Sequence, residues 1–513
     1  MRDTIKKAVF LILAASMLTA CKPSSQGQGD TSDASTTMFG AQVVHGKAAA
    51  LSSDEYNQLP AEKQYAVANR LMGTLYKGIP ADEFFDLEQG LATPKIGDGG
   101  NFINRTARLM TQELPNANEY IQQVNENYDF NSTRYSQEMP IAMIFDLPIS
   151  RDHFTHWMAY NLSNTILFSP ALEMDSADYF DVHRVYSKLV SRMNSNMDIR
   201  EIIYQHMISQ ENWRRFRSPE DNTREMIEIY LGLFDQDGEV PKASQACQNW
   251  HLTGDNQDYQ LVITLDENIV PQKVLGQWIN NCFDFYRIIS NHPKVIARMV
   301  NVLVDHFFVD MGQDTRAALV QSIVDSNPTR FEHIFTAIIF SREYLLNSDR
   351  PKRVEETFFN LAHKVDWKPR SDFFRNLNDP SGGSSFPTMN QMKQPSMTLK
   401  LGRWPFQPLD SLSFSYYHKL VREQLLIRYR SDNASNNSWG SDFIEKAANL
   451  SDEDFIHYLF LSSVGRKANG EEITTLNEVI TNRNYLNNRP NQARIIFDYV
   501  SRLPETYFNN SIN

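Results

Sequence analysis

The chain has 513 residues, of which 41% are hydrophobic and 12% aromatic, and a formal net charge of −12. That length exceeds one ordinary core and calls for two or three helical layers or subdomains; that apolar content excludes a disordered chain once the first fifty residues are set aside. The acidic balance, with no basic run interleaved with aromatics, gives no electrostatic footprint for nucleic acid.

The N-terminus reads MRDTIKKAVFLILAASMLTAC. Arg2, Lys6 and Lys7 make a basic start, and the apolar run from Ala8 to Leu18 is too short to span a bilayer, so residues 1–20 read as an export signal. Leu18-Thr19-Ala20-Cys21 resembles the lipobox of bacterial lipoproteins. The resemblance implies that the Cys21 thiol is alkylated by a diacylglyceryl group and that the chain is cut before it and acylated on its new N-terminus. Two or three acyl chains would hold the protein to a membrane without a spanning helix. The alternative is a simple secretory signal followed by a coincidental cysteine. Lys22, rather than Asp, follows the cysteine, which by resemblance to enterobacterial lipoproteins implies passage to the outer membrane. Loss of residues 1–20 removes three cations and one anion and leaves −14. In residues 21–50, Cys21 is followed by KPSSQGQGDTSDASTT, which has almost nothing to bury, and the segment reads as a flexible tether.

From residue 51 the apolar positions recur at spacings of three and four, punctuated by Pro or Gly, which predicts an all-α, multi-helix body over 51–430. The stretch from Leu59 to Pro80 starts a helix at Pro60 and stops at Gly78, with Tyr65, Ala68, Leu71, Met72 and Leu75 on one face. In RDHFTHWM, His153 and His156 sit one turn apart beside Asp152, but a third spaced metal ligand is missing and a capped amphipathic helix accounts for them. In NTREMIEIYLG, Arg224 precedes Glu225 and Glu228; the carboxylates could serve as acid and base or bind a cation, and an arginine clamp between helices is the structural alternative. FDQDGEV places Asp235, Asp237 and Gly238 like the middle of a calcium loop, yet Leu233 and Ser244 stand where its end ligands belong, so it reads as a tight turn.

Export makes the two remaining thiols, Cys247 and Cys282, candidates for a disulfide closing a 36-residue loop, with two buried free thiols as the alternative. Between them, Trp250, His251 and Thr253 could line a small pocket or belong to the local core, and YQLVITL, residues 259–265, is the one strand candidate, allowing at most one short hairpin or extended segment. PTRFEHIFTAIIFSREYLL is apolar on more than one face and reads as a central core helix. SGGSS lacks the following Lys that a phosphate loop needs, and neither His-Glu-x-x-His nor Gly-x-Ser-x-Gly occurs. Interruptions at 378–397 and 430–442 set off a C-terminal helical unit over 443–513, whose helix is capped by Ser451, carries Asp452 to Asp454 in its first turn, faces Phe455, Ile456, Leu459 and Phe460 inward and stops at Gly465.

Several short motifs follow one another: NTREMIEIYLG, then QACQNWHLTG, then His292-Pro293, IIFSREYL, PKRVEETFF and LGRWPFQPLD. Their order over residues 140–430 resembles the bacterial family known as domain of unknown function 1800. Here Asp255 and Arg403 replace that family's Trp and Gln, and HWMAYNL matches its histidine-rich segment only loosely. The resemblance implies an exported, mainly helical protein often encoded beside a secreted protein similar to the alkaline-phosphatase superfamily; it implies no reaction. The residues thus point to a lipid-anchored binding or assembly component of the envelope, with a hydrolase using Glu225, Glu228 and His251 as the alternative and Arg224, Trp250 and Thr253 as binding candidates. No metal site or cofactor is expected.

Overall fold

The computed structural model describes residues 34–95, 101–128, 139–167, 181–254, 259–266, 270–309, 311–379, 386–394, 410–427, 444–481 and 489–512. Cys21 with its lipobox, the interruption at 430–442, and Asp255 and Arg403 lie outside these residues. The body is all-α. Its principal helices, in chain order, are α1 (Ala61–Thr74), α2 (Arg151–Ser163), α3 (Pro219–Leu231) and α4 (Val240–Ala246). After the strands come α5 (Cys282–Asn291), α6 (Lys294–Phe307), α7 (Phe331–Ile339) and α8 (Asp452–Val464).

Helix α1 buries Tyr65, Ala68 and Leu71 on the expected face, but it ends before Gly78. The left-handed residue that closes it is Tyr76, with φ 59°. Its amide bonds to the Gly73 carbonyl and the Lys77 amide to Met72, the paired bonds of a Schellman cap with tyrosine where glycine is usual. Tertiary packing holds the ring there: it lies edge-on to Tyr160 at 6.1 Å, and its hydroxyl donates to Asn161. Gly78 is needed for a different reason, because a Cβ would come within 2.1 Å of the Asn360 carbonyl oxygen.

Helix α2, capped by Ser150, runs through the core. Its Trp157 packs against Phe154, Phe307 and Phe335 and donates its indole N–H to the Thr74 carbonyl at the end of α1. Helix α7 is buried on nearly every side, as its apolar sequence predicted. Beyond it the backbone widens into π turns at Glu343–Asn347 and Glu355–Phe359, the second leading directly into a short helix, Asn360–Lys364. Helix α8 has the expected Ser451 cap and Gly465 stop. It packs against the segment at Ala81–Phe84, where Ser462 accepts from the Ala81 amide and the Tyr458 hydroxyl donates to Asp82.

Residues 34–513 cluster as one unit. Residues 34–50, assigned to the tether from sequence, carry buried Met38 and Ala48, and the Phe39 ring stacks on Phe154 at 5.7 Å. Polar composition hid this because the buried groups are few and widely spaced.

The expectation of at most one hairpin is corrected: three two-stranded antiparallel sheets are present among the described residues. The first pairs β1 (Trp250–Thr253) with β2 (Gln260–Ile263), the second β3 (Gln272–Val274) with β4 (Gln277–Ile279), and the third β5 (Arg350–Pro351) with β6 (Phe508–Asn509). The β3–β4 turn is Leu275-Gly276, both with positive φ, as a two-residue type I′ turn demands. Strands of three residues give no readable alternation, and β5–β6 joins segments far apart in the chain, so neither had a periodic signature.

Two lysines bear on how stability depends on pH. Lys77 is buried with its Nζ against the Phe145 carbonyl and 3.5 Å from His363 Nε2, and burial lowers its pKa to about 7 despite the Asp146 charge. Burial likewise lowers Lys352, whose side chain keeps partial solvent access, to about 8. In the unfolded chain both hold a proton until about pH 10.4. Between these limits the unfolded state binds more protons, so stability rises with pH, and below pH 7 the full cost of both buried ammonium groups is present. Above about pH 9.5, buried Tyr56, Tyr65 and Tyr230, raised by desolvation, reverse the slope. The urea midpoint is therefore expected to climb from about pH 7 to about pH 9, and Lys77→Met to remove part of the climb; a wild-type midpoint that falls across this range contradicts the assignment.

Candidate functional site

Helix α3 starts at Ser218, whose hydroxyl accepts from the Asp221 amide, and buries Asn222, Met226, Ile227 and Tyr230. That choice of face puts Arg224, Glu225 and Glu228 toward solvent. Arg224 Nη1 lies 2.5 Å from Asp237 and Nη2 3.5 Å from Glu220, so the turn at 235–238 closes on an arginine rather than a calcium ion. Burial raises the Glu225 pKa, with Asp221 and Glu228 adding to it. Neither glutamate is hydrogen-bonded to a histidine, and among the described residues no group of three or more His, Cys, Asp or Glu is placed to hold a metal. The predicted acid–base pair is thus an outward carboxyl cluster without a converging partner. His153 is fully buried and His156 Nδ1 meets the Tyr186 hydroxyl, so both belong to the core of α2.

The Sγ atoms of Cys247 and Cys282 lie at disulfide distance, with their Cα atoms 4.4 Å apart. Cys247 follows α4 and stands three residues before β1; Cys282 opens α5 three residues after β4. The link therefore gathers the roots of both hairpins at one point. Trp250 is the packing centre of this junction: it is buried, 4.8 Å from Phe283, 5.5 Å from Trp213 and 5.7 Å from Tyr286. Trp250, His251 and Thr253 have different surroundings. Alternation in β1 sends Trp250 inward and leaves His251 half-buried opposite Val262, while Thr253 is exposed at the strand end.

The hairpins and the segments flanking them expose several apolar side chains among polar ones such as Thr253, Gln260, Lys273 and Gln277. Of ten exposed large hydrophobic side chains among the described residues, six fall between positions 234 and 283: Phe234, Ile263, Leu265, Val270, Trp278 and Phe283. Leu265 is 99% and Trp278 69% exposed. Single exposed hydrophobics are ordinary, but this concentration within fifty residues, with Ile263 and Trp278 on the strands and the others in adjoining segments, marks a region available for association. The sequence contains every one of these residues, and for Ile263 and Leu265 exposure was not legible because the run YQLVITL reads equally as core.

A second region was missed altogether. A cavity of about 320 Å³ lies between α1, the Asn360–Lys364 helix, the β5–β6 pair and the end of α8. Eight charged residues line it, and the three carboxylates have partners. Glu356 grips Arg350 through two bonds of 2.7 and 2.8 Å, Glu505 accepts from Arg466, and Glu62 is 3.5 Å from Lys467. Arg70 reaches only backbone carbonyls, those of Tyr344, Leu345 and Asn510, and Lys352 only that of Glu505. Lys364 is 2% exposed and makes neither a hydrogen bond nor an ion pair. Burial, followed by repulsion from Lys352, lowers its pKa well below the usual lysine range. No spacing rule joins positions 70, 352 and 364, so only the fold could bring them together.

No family model, curated protein or solved structure matches this chain.

The cross-link at the hairpin roots has a measurable consequence. Replacing both cysteines, Cys247→Ser with Cys282→Ser, is expected to lower unfolding free energy by about 4 kcal/mol on the chain-entropy account of a loop this long. Urea titration of the oxidised wild type against the double variant checks it, and equal midpoints would refute a structural bridge.

Proposed function

We propose that this protein is a lipid-anchored binding component of a bacterial cell envelope, a distant relative of the domain of unknown function 1800 proteins, that docks a secreted protein partner through its two cross-linked hairpins. The observation that carries the reading is the concentration of exposed apolar side chains, Leu265 and Trp278 foremost, on a scaffold fixed by Cys247 and Cys282. An exposed tryptophan such as Trp278 is the residue type that dominates binding energy at protein interfaces. The lipobox at Cys21 and the residues that follow it support attachment to the outer membrane, the lipid serving as the membrane contact. Among the described residues no helix is long and apolar enough to cross a membrane.

The hydrolase alternative rests on Glu225 and Glu228, and the lack of a hydrogen-bonded histidine beside them leaves it the weaker reading. The partner of first choice, by the resemblance alone, would be a secreted protein similar to the alkaline-phosphatase superfamily, were one encoded beside this chain.

Two measurements test the proposal. Labelled palmitate is expected to enter the wild type and not Cys21→Ser, which should leave the membrane fraction. Titration of the purified neighbour against the anchored protein is expected to give saturable binding that Leu265→Asp with Trp278→Asp weakens at least about tenfold, while Glu225→Gln and Glu228→Gln leave it unchanged. Unlabelled wild type refutes the anchor, and binding indifferent to the hairpin variants refutes the docking face.

A further inference from the structure

The cavity between α1 and the C-terminal strand poses a separate question, because burying an ammonium group without a partner is costly. Arg70, Lys352 and Lys364 come from three distant parts of the chain and line one space of about 320 Å³. Every carboxylate on its wall is already engaged elsewhere, Glu356 by Arg350, Glu505 by Arg466 and Glu62 by Lys467. The cationic groups are left with backbone carbonyls or, for Lys364, with nothing. The Ser463 hydroxyl, on the same wall, is also buried without a hydrogen-bond partner. The Asn69 side-chain amide on this wall is likewise buried without a hydrogen-bond partner, and together with the unpaired Lys364 these groups describe a polar recess that a ligand bringing acceptors would complete.

We propose that this cavity binds the oxyanion head of a small ligand, a carboxylate or phosphate, with Lys364, Lys352 and Arg70 as its cationic contacts and the Ser463 hydroxyl as a further donor. An anion entering between them supplies the acceptors that Lys364 and Ser463 lack and compensates the repulsion between the two lysines. A charge-assisted bond in a recess partly shielded from water is stronger than the same bond at the open surface. The space is too small for a folded partner and suits a ligand of metabolite size, so this site is independent of the hairpin face. It also survives if the docking proposal fails. Ser463 and Arg466 stand at the end of α8 and Lys352 beside β6, so the occupied cavity would tie the C-terminal segments to α1.

The test uses the mature full chain in a low-chloride buffer. Thermal unfolding is followed as inorganic phosphate or succinate is added, because a ligand bound to the native state alone raises the midpoint with the logarithm of its concentration. At least one of the two is expected to give a saturable shift with a stoichiometry of one by calorimetry. Lys364→Met, which keeps the stem and removes the amine, is expected to unfold at or above the wild-type temperature without anion and to weaken anion binding at least tenfold. Lys63→Met, at the exposed rim, is expected to bind as the wild type does. As a second readout, reductive methylation at neutral pH is expected to modify Lys364 readily in the absence of anion and slowly in its presence. Equal affinity in Lys364→Met, no shift with either anion, or labelling of Lys364 indifferent to anion would each overturn the proposal. Should Lys364→Met fail to fold, Ser463→Ala and the labelling experiment decide it in the same way.

Discussion

The pair on which the rest leans is Arg350 with Glu356. Both side chains are almost wholly withdrawn from water, and the guanidinium forks onto the carboxylate while also donating to the Tyr344 hydroxyl. An ion pair so enclosed depends on how well its remaining donors and acceptors are satisfied; here the Arg353 amide also donates to Glu356, while the Arg350 Nε is buried without a hydrogen-bond partner. Breaking one side would leave the other charge stranded. The pair fixes β5, the π turn at 355–359 and the π turn at 343–347 against one another, and Arg70 of α1 joins them through the Tyr344 and Leu345 carbonyls. Because Glu356 is bonded to Arg350, it forms no ion pair with the lysines nearby, although its charge still favours the ammonium form of Lys352. The cationic character of the cavity follows from how the core solved its own charge problem.

Widening a helix by one residue shifts the side chains that follow it, and such turns are frequent at functional positions. Here the turn at Glu355–Phe359 sends Phe358 and Phe359 into an aromatic cluster with Trp367 and Phe145 and brings Asn360 and Lys364 round to α1. Gly78 permits the final approach, and the Asn360 amide closes it by donating to the Lys77 carbonyl. The hairpin region is organised by an opposite device. It has little helical framework of its own, and its rigidity comes from one cross-link and from Trp250 wedged among three other aromatic rings. The molecule thus offers a pocket made by helix packing and a face made by covalent closure.

Legibility followed the range of the forces involved. Ser451, the acidic turn after it and Gly465 were readable as a complete helix because caps and stops act over four residues. Pro60 and the apolar stripe of α1 were readable for the same reason, but its end was not: a tyrosine took the left-handed position because Tyr160 and Asn161, some eighty residues away, hold it there. Glu225 and Glu228 looked chemical from their spacing, and the structure put them on the outer face because Met226, Ile227 and Tyr230 claimed the inner one. The Leu275-Gly276 turn carried its signal in two residues and was overlooked beside strands too short to confirm it.

By itself, the sequence determined the all-α class, the position of several helix ends and the two thiols available for pairing, all of which depend on neighbours along the chain or on simple count. Tertiary structure alone decided that those thiols meet, that Leu265 and Trp278 face outward, and that Lys364 ends beside Lys352 and Arg70 with no counter-charge. The physical reason is that a charge or a ring is defined by what surrounds it, and here the surroundings are assembled from segments hundreds of residues apart.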